Sequence, residues 1–194
     1  FGGKEGNASI FSQSAALAAY KLKRPVKLRV NRDDDMTITG KRHDFRIDYE
    51  VGFDDRGRIL GADITLMSRC GYSTDYSGPV NDRAMTHADN CYVLENVEII
   101  SHRCKTNMQS ATAFRGFGGP QGMLFAERLM EVIALKTGLD PLDVRKANLY
   151  GVKGDVTPYG MKVEDNIALE VIEQLEATSD YRARRKKIAA FNAK

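Results

Sequence analysis

The spacing of apolar residues changes along the chain, and each change predicts an element. Residues 45–53 and 59–68 alternate apolar with polar side chains, the pattern of half-buried strands. Asp54-Asp55-Arg56-Gly57 between them has turn chemistry, so the pair is expected to form a hairpin. Residues 26–30 alternate in the same way after Pro25, and another strand is expected over 97–104. Residues 8–22 are rich in Ala and Ser, with Phe11, Ala15 and Ala18 at helical spacing. A helix of such small residues can approach a neighbouring backbone closely. Residues 70–90 hold Gly71, Ser77, Gly78 and Pro79 with no clear period and read as turns.

The second half is more helical. Pro120 opens a run to Lys136 in which Glu127, Arg128 and Glu131 form one narrow polar stripe, so this helix is expected to be buried over most of its circumference. Pro at its start and Gly138 past its end bracket it. Asp140-Pro141 starts a short helix to about Asn148. Ala168, Val171, Ile172 and Leu175 mark an amphipathic helix, and Ser179 or Asp180 is placed to cap a last one. The fold class is α+β, with mixed sheets and packed helices.

Composition narrows the function classes. Hydrophobic residues are 42% and charged residues 28% of 194, enough for a packed core and unlike a disordered chain. No apolar stretch is long enough to span a bilayer, so no membrane partner is expected. A net charge of +3 gives no basic footprint for nucleic acid. The one basic run, Arg182 to Lys187, reads as a solvated helix face. Cys70, Cys91 and Cys104 have no Cys-x-x-Cys spacing and read as free thiols in a reducing, cytoplasmic setting. With no initiator Met or signal peptide, and a start inside a glycine-rich loop, residues 1–194 are expected to be one segment of a larger domain, incomplete at both ends.

Two glycine clusters are the candidates for chemistry: Phe1-Gly2-Gly3-Lys4-Glu5 and Phe114-Arg115-Gly116-Phe117-Gly118-Gly119-Pro120-Gln121. Glycines in series let a backbone approach a ligand and aim N–H groups at its anionic or oxygen-rich parts. Neither cluster fits a nucleotide-binding pattern, because Gln stands at 121 and no Gly-Lys-Ser/Thr occurs at the P-loop spacing. Read alone, both are also compatible with ordinary tight turns.

Taken together, in this order and at this separation, the clusters resemble the molybdenum-binding part of the xanthine dehydrogenase and aldehyde oxidase family. The resemblance runs through Asn81-Asp82-Arg83, Cys104-Lys105-Thr106-Asn107 and the ten residues from Thr112 to Gln121. It implies that Phe1, Gly2 and Arg115 lie against a molybdenum–molybdopterin cofactor, and that Glu5, Arg83 and Phe117 contact substrate, with Glu5 and Arg83 catalytic. The metal would be held by the pterin's dithiolene, which agrees with the lack of ligand spacing among His43, His87, His102 and the cysteines. His102-Arg103-Cys104 reads as a strand detail.

The chemistry implied is hydroxylation of hypoxanthine and xanthine to urate, with water as the oxygen source. Electrons would leave through [2Fe-2S] clusters and FAD to NAD on other domains or subunits, within a homo- or hetero-oligomer. A guanidinium at Arg83 could stabilise negative charge spreading onto a far ring oxygen. Glu5 could hydrogen-bond a ring atom, and Phe117 could restrict a planar substrate to a slot. Aldehyde oxidases, by the same resemblance, tend to lack both charges, so the presence of Glu5 and Arg83 favours purine. An aldehyde or N-heterocycle hydroxylase, and a non-catalytic scaffold, are the alternatives. The family's general-base glutamate and the glutamine that supports the metal group match nothing here, so the chain alone is expected to be inactive.

Overall fold

The computed structural model describes residues 6–193. Phe1, Gly2 and Glu5 of the first glycine cluster lie outside them. The elements run in the order α1 (Asn7–Leu22), α2 (Arg32–Ile38), β1 (Phe45–Phe53), β2 (Ile59–Gly71), α3 (Ser77–Met85), β3 (Val97–Lys105), α4 (Gly119–Thr137), α5 (Pro141–Asn148), α6 (Ala168–Thr178) and α7 (Tyr181–Asn192).

β1 and β2 form the expected antiparallel hairpin, with a bulge at Gly52/Phe53. The turn closes because the Asp54 carboxylate accepts the N–H groups of Arg56 and Arg58 while Gly57 takes a positive φ of 74°. β3 joins the other side of β2 in parallel, giving one three-stranded mixed sheet of order β1-β2-β3 among the described residues. A parallel neighbour needs a crossover, and α3 lies in that crossover, packed against β2 and β3.

Ile59, Ile64 and Leu66 of β2 meet Phe125, Leu129, Met130 and Ile133 of α4 in one core cluster, which Val144 and Leu149 extend toward α5. Burial of each such side chain stabilises by about 1.5–3 kcal/mol. Asn148, at the end of α5, is fully buried; its Oδ1 accepts from Ile59 N–H, and its Nδ2 donates to the carbonyls of Gly57 and Val144. One side chain therefore satisfies the hairpin and ties it to α5.

α3 and α4 cross with backbone against backbone. A Cβ at Gly122 would collide with the Ala84 carbonyl, and one at Gly118 with that of Val80. A buried polar chain holds α3 on the sheet. Asn81 Nδ2 donates to Ser68 Oγ on β2 (2.7 Å) and to the Ser77 carbonyl (2.7 Å), Asn81 Oδ1 accepts from Ser101 Oγ on β3 (3.0 Å), and Ser77 Oγ pairs with His43 Nε2 (2.8 Å).

The structure corrects several expectations. Residues 26–30 form no strand: they have the alternation but pair with no neighbour among the described residues, and most of them are exposed. The 70–90 stretch is not all turn, since α3 occupies part of it; tertiary packing overrides the low propensity of Gly78 and Pro79. α2 was not expected; Asn31 caps it by accepting from Asp34 N–H. α4 is buried on one face only, with Leu124 72% and Leu135 80% exposed. Asp180 sits at the N-cap of α7 in a left-handed conformation without a side-chain cap bond. On that helix Arg182 and Arg185 are bound to Asp143, Glu176 and Asp140, so the basic run is not simply solvated.

Two outcomes follow for the full-length protein. Gly122→Ala pushes α3 off α4, at an overpacking cost of about 1–3 kcal/mol or more; faster hydrogen exchange across both helices is the expected readout, and unchanged protection contradicts the crossing. Burial also lowers the pKa of His43 below 6.5, against the opposing charges of Asp75 and Asp44. Neutral His43 therefore contributes stability that is complete above pH 6.5 and is lost as the pH falls from there through the lower folded value. Protection of α3 should weaken over that window more in the wild type than in His43→Gln, and parallel profiles for the two would refute the role.

Candidate cofactor and substrate site

The second glycine cluster forms a tight loop between the end of β3 and α4. Phe117 N–H donates to the Phe114 carbonyl (2.7 Å) and Gly119 N–H to the Gly116 carbonyl (2.9 Å). Gly116 and Gly118 take φ of 90° and 97°, and Phe117 between them also has a positive φ of 53°. A bulky residue in that region is strained and persists only where its surroundings hold it. Here Tyr76 does so, its ring meeting Phe117 edge to face at 6.1 Å. Tyr76 is fixed in turn by Asp75, whose Oδ1 accepts both the Tyr76 N–H (2.6 Å) and the Thr112 hydroxyl (2.9 Å).

Arg83 comes from the last turn of α3 and is exposed. The α3–α4 crossing carries it to the loop: its Nε lies 3.7 Å from where a Cβ of Gly119 would stand, two residues from Phe117. His87 flanks the same point and bonds through Nδ1 to the Arg83 carbonyl (2.9 Å). Arg83, remote in sequence, thus lies against the loop that carries Phe117. Arg115 is exposed on the loop, where its carbonyl accepts from Arg42 Nη2 (2.7 Å). Gly6, the first described residue, stands close to the same support: a Cβ on it would lie 3.4 Å from the Tyr76 ring and 3.8 Å from Thr112 Oγ1.

The site is electropositive. The N-terminus of α4 has no acidic residue in its first turn, and it faces Arg83. The N–H groups of Arg115, Gly116 and Gly118 make no hydrogen bond to a described residue. Two buried side-chain atoms beside the loop, the donor Arg42 Nη1 and the acceptor Gln121 Oε1, are also unpartnered. Free backbone donors on a glycine run, with a spare donor and a spare acceptor behind them, fit a polar, multi-oxygen group such as the pterin and its substituents. No three His, Cys, Asp or Glu side chains cluster as metal ligands among the described residues, so a metal here would depend on such a group to hold it.

Sequence reading missed Arg42, Asp75 and Tyr76. Each acts through a contact to a residue distant in the chain or through turn geometry, and neither leaves a periodic trace.

Comparison with known proteins identifies the family and the fold. Residues 1–149 match the model of the molybdopterin cofactor-binding domain. The chain is 46% identical over 192 residues to the xanthine dehydrogenase/oxidase of Gallus gallus, covering 99% of this chain and 14% of that protein. It is 41% identical over its whole length to the nicotinate hydroxylase of Emericella nidulans, again 14% of that protein. The chain thus spans about one seventh of the length of these relatives. Among solved structures, the aldehyde oxidoreductase from Desulfovibrio gigas superposes with a TM-score of 0.80 at 30% identity, over 89% of this chain and 19% of that one. A Cu,Mo-CO dehydrogenase shares the fold, with a TM-score of 0.82 at 19% identity over 93% of this chain and 24% of that one. With a glycine loop, an arginine and an aromatic side chain gathered where the matched region folds, the chain belongs to the molybdopterin cofactor-binding domain family.

Proposed function

We propose that this chain forms one wall of the active site of a molybdenum hydroxylase of the xanthine dehydrogenase type, which converts hypoxanthine and xanthine to urate. The observation that carries this reading is the placement of Arg83 against Gly119, at the positive end of α4 and two residues past Phe117 on the same loop. In this reading Phe1, Gly2 and the Arg115 loop border the molybdopterin, while Glu5, Arg83 and Phe117 border the substrate. Bound there, the molybdenum–pterin group supplies the two-electron acceptor and activates the water whose oxygen enters the product.

This chain's residues supply recognition and charge. A purine gains negative charge as oxygen adds to its ring carbon, and that charge spreads to ring oxygens. Arg83 stabilises it there with a permanent cation, reinforced by the α4 terminus. Phe117, held by Tyr76, presents a rigid ring against which a planar substrate lies. Glu5 hydrogen-bonds the substrate from the first loop. The remaining active-site groups, the [2Fe-2S] clusters, FAD and the NAD site belong to the rest of an oligomeric, cytoplasmic enzyme, of which residues 1–194 are one segment.

The 41% identity to a nicotinate hydroxylase supports a second reading, oxidation of a different N-heterocycle by the same site. Steady-state rates of the full-length enzyme with xanthine, nicotinate and an aromatic aldehyde separate the two. Xanthine preference supports the first reading, nicotinate preference the second, and absence of molybdenum together with inactivity would sink both. A charge-assisted hydrogen bond contributes about 1.5–3 kcal/mol, so Arg83→Met should lower xanthine kcat/KM by about tenfold to a hundredfold. Turnover of an aromatic aldehyde should change much less; equal losses on both substrates would reject the role given to Arg83.

A further inference from the structure

The loop that carries Arg115 and Phe117 is not held by its own hydrogen bonds alone. Lys41-Arg42-His43, just ahead of β1, runs beside it and grips it at three points. At the start, Thr112 N–H donates to the Lys41 carbonyl (2.9 Å). In the middle, the Arg42 guanidinium lies over the Phe114 ring, 4.2 Å from its centroid, and Nη2 donates to the Arg115 carbonyl (2.7 Å). At the end, Gln121 Nε2 donates to the His43 carbonyl (2.9 Å). The gripping segment is itself fixed on both sides. The Lys41 ammonium donates to the carbonyls of Asp35 and Thr39 at the end of α2, and the His43 ring is bound to Ser77 on α3.

We propose that Lys41-Arg42-His43 is the template on which the cofactor loop is shaped, with Arg42 as its positioning residue. In the two outer grips Lys41 and His43 offer only backbone carbonyls, so on the gripping segment these depend little on residue identity. The central one depends on a guanidinium, because only a planar cation with forked donors can stack on Phe114 and hold the next carbonyl together. Holding the Arg115 carbonyl fixes the plane of the 115–116 peptide. The Gly116 N–H, which points opposite to that carbonyl in a trans peptide, is fixed with it. Phe114 and Arg115 then set where Phe117 emerges, and with it the slot. Arg42 touches neither substrate nor reacting atoms in this scheme; it acts through the loop.

This inference rests on the reading of the loop as bordering cofactor and substrate, and the test keeps the two apart. In the full-length holoenzyme, Arg42→Ala should speed hydrogen exchange of the Thr112, Phe117 and Gly119 amides by about tenfold or more, with the strands unaffected. It should also perturb the molybdenum(V) electron paramagnetic resonance signal and lower xanthine kcat/KM by about tenfold to a hundredfold. Millimolar guanidinium should restore part of that rate in Arg42→Ala and do nothing for the wild type. Unchanged loop exchange with a wild-type signal overturns the proposal. If Arg42→Ala fails to fold, Arg42→Lys decides, since it retains a cation and a donor without the planar stack. Loss of protection confined to 112–119 supports the template, and full protection overturns it. A wild-type enzyme without molybdenum would defeat the functional reading, whereas the exchange result would still judge the template.

Discussion

Helices α3 and α4 meet where α4 has no room for a side chain. The carbonyls of Val80 and Ala84 occupy the space that a Cβ on Gly118 or Gly122 would need, so the crossing exists only because both positions are glycine. Much else depends on that closeness. It brings Arg83 from one helix to the N-terminal turn of the other, and sets the glycine loop directly over the end of α3. It also presses α3 onto the sheet, which buries Asn81, Ser77 and His43 and obliges them to bond one another. A methyl group inserted at the crossing would disturb packing, polar satisfaction and site geometry together.

Strain gathers around the same place. Phe117 and Asp75 both have positive φ without being glycine, and they touch through Tyr76. Such conformations cost on the order of 1–3 kcal/mol each and need compensating contacts. The compensation is visible: Asp75 gathers the Tyr76 N–H and the Thr112 hydroxyl on one carboxylate oxygen, Tyr76 backs Phe117, and Arg42 holds Arg115. Most of these contacts join residues far apart in sequence, so the loop's shape is set by the surrounding fold. A loop held in this way loses little conformational entropy when it meets a ligand.

This division explains what the sequence revealed and what it hid. β1 and β2 were legible because alternation, a turn with Asp and Gly, and a buried face all agree. α4 was legible from Pro120 and Gly138, whose φ of 74° closes it. α3 was hidden because Gly78 and Pro79 argue against a helix locally, and only packing on β2, β3 and α4 makes it one. Residues 26–30 show the converse, an alternation with no partner strand among the described residues. At the site, the glycine wording identified the loop, while Arg42, 73 residues away from the carbonyl it holds, left no local mark.

The polar stripe of α4 predicted deeper burial than this chain provides, and the misfit has a physical meaning. Leu124 and Leu135 stand open to solvent, although the sequence of the helix treats them as core positions. A hydrophobic pattern reports the environment of the protein in which it is used, and the length of chain at hand does not limit it. In the relatives this stretch is one seventh of the protein's length. The inner face of α4, with Phe125, Leu129, Met130 and Ile133, is satisfied within 194 residues, and it is the face that sets the α3 crossing and the loop. The geometry of the site therefore rests on contacts this chain makes with itself, and the exposed leucines do not enter it.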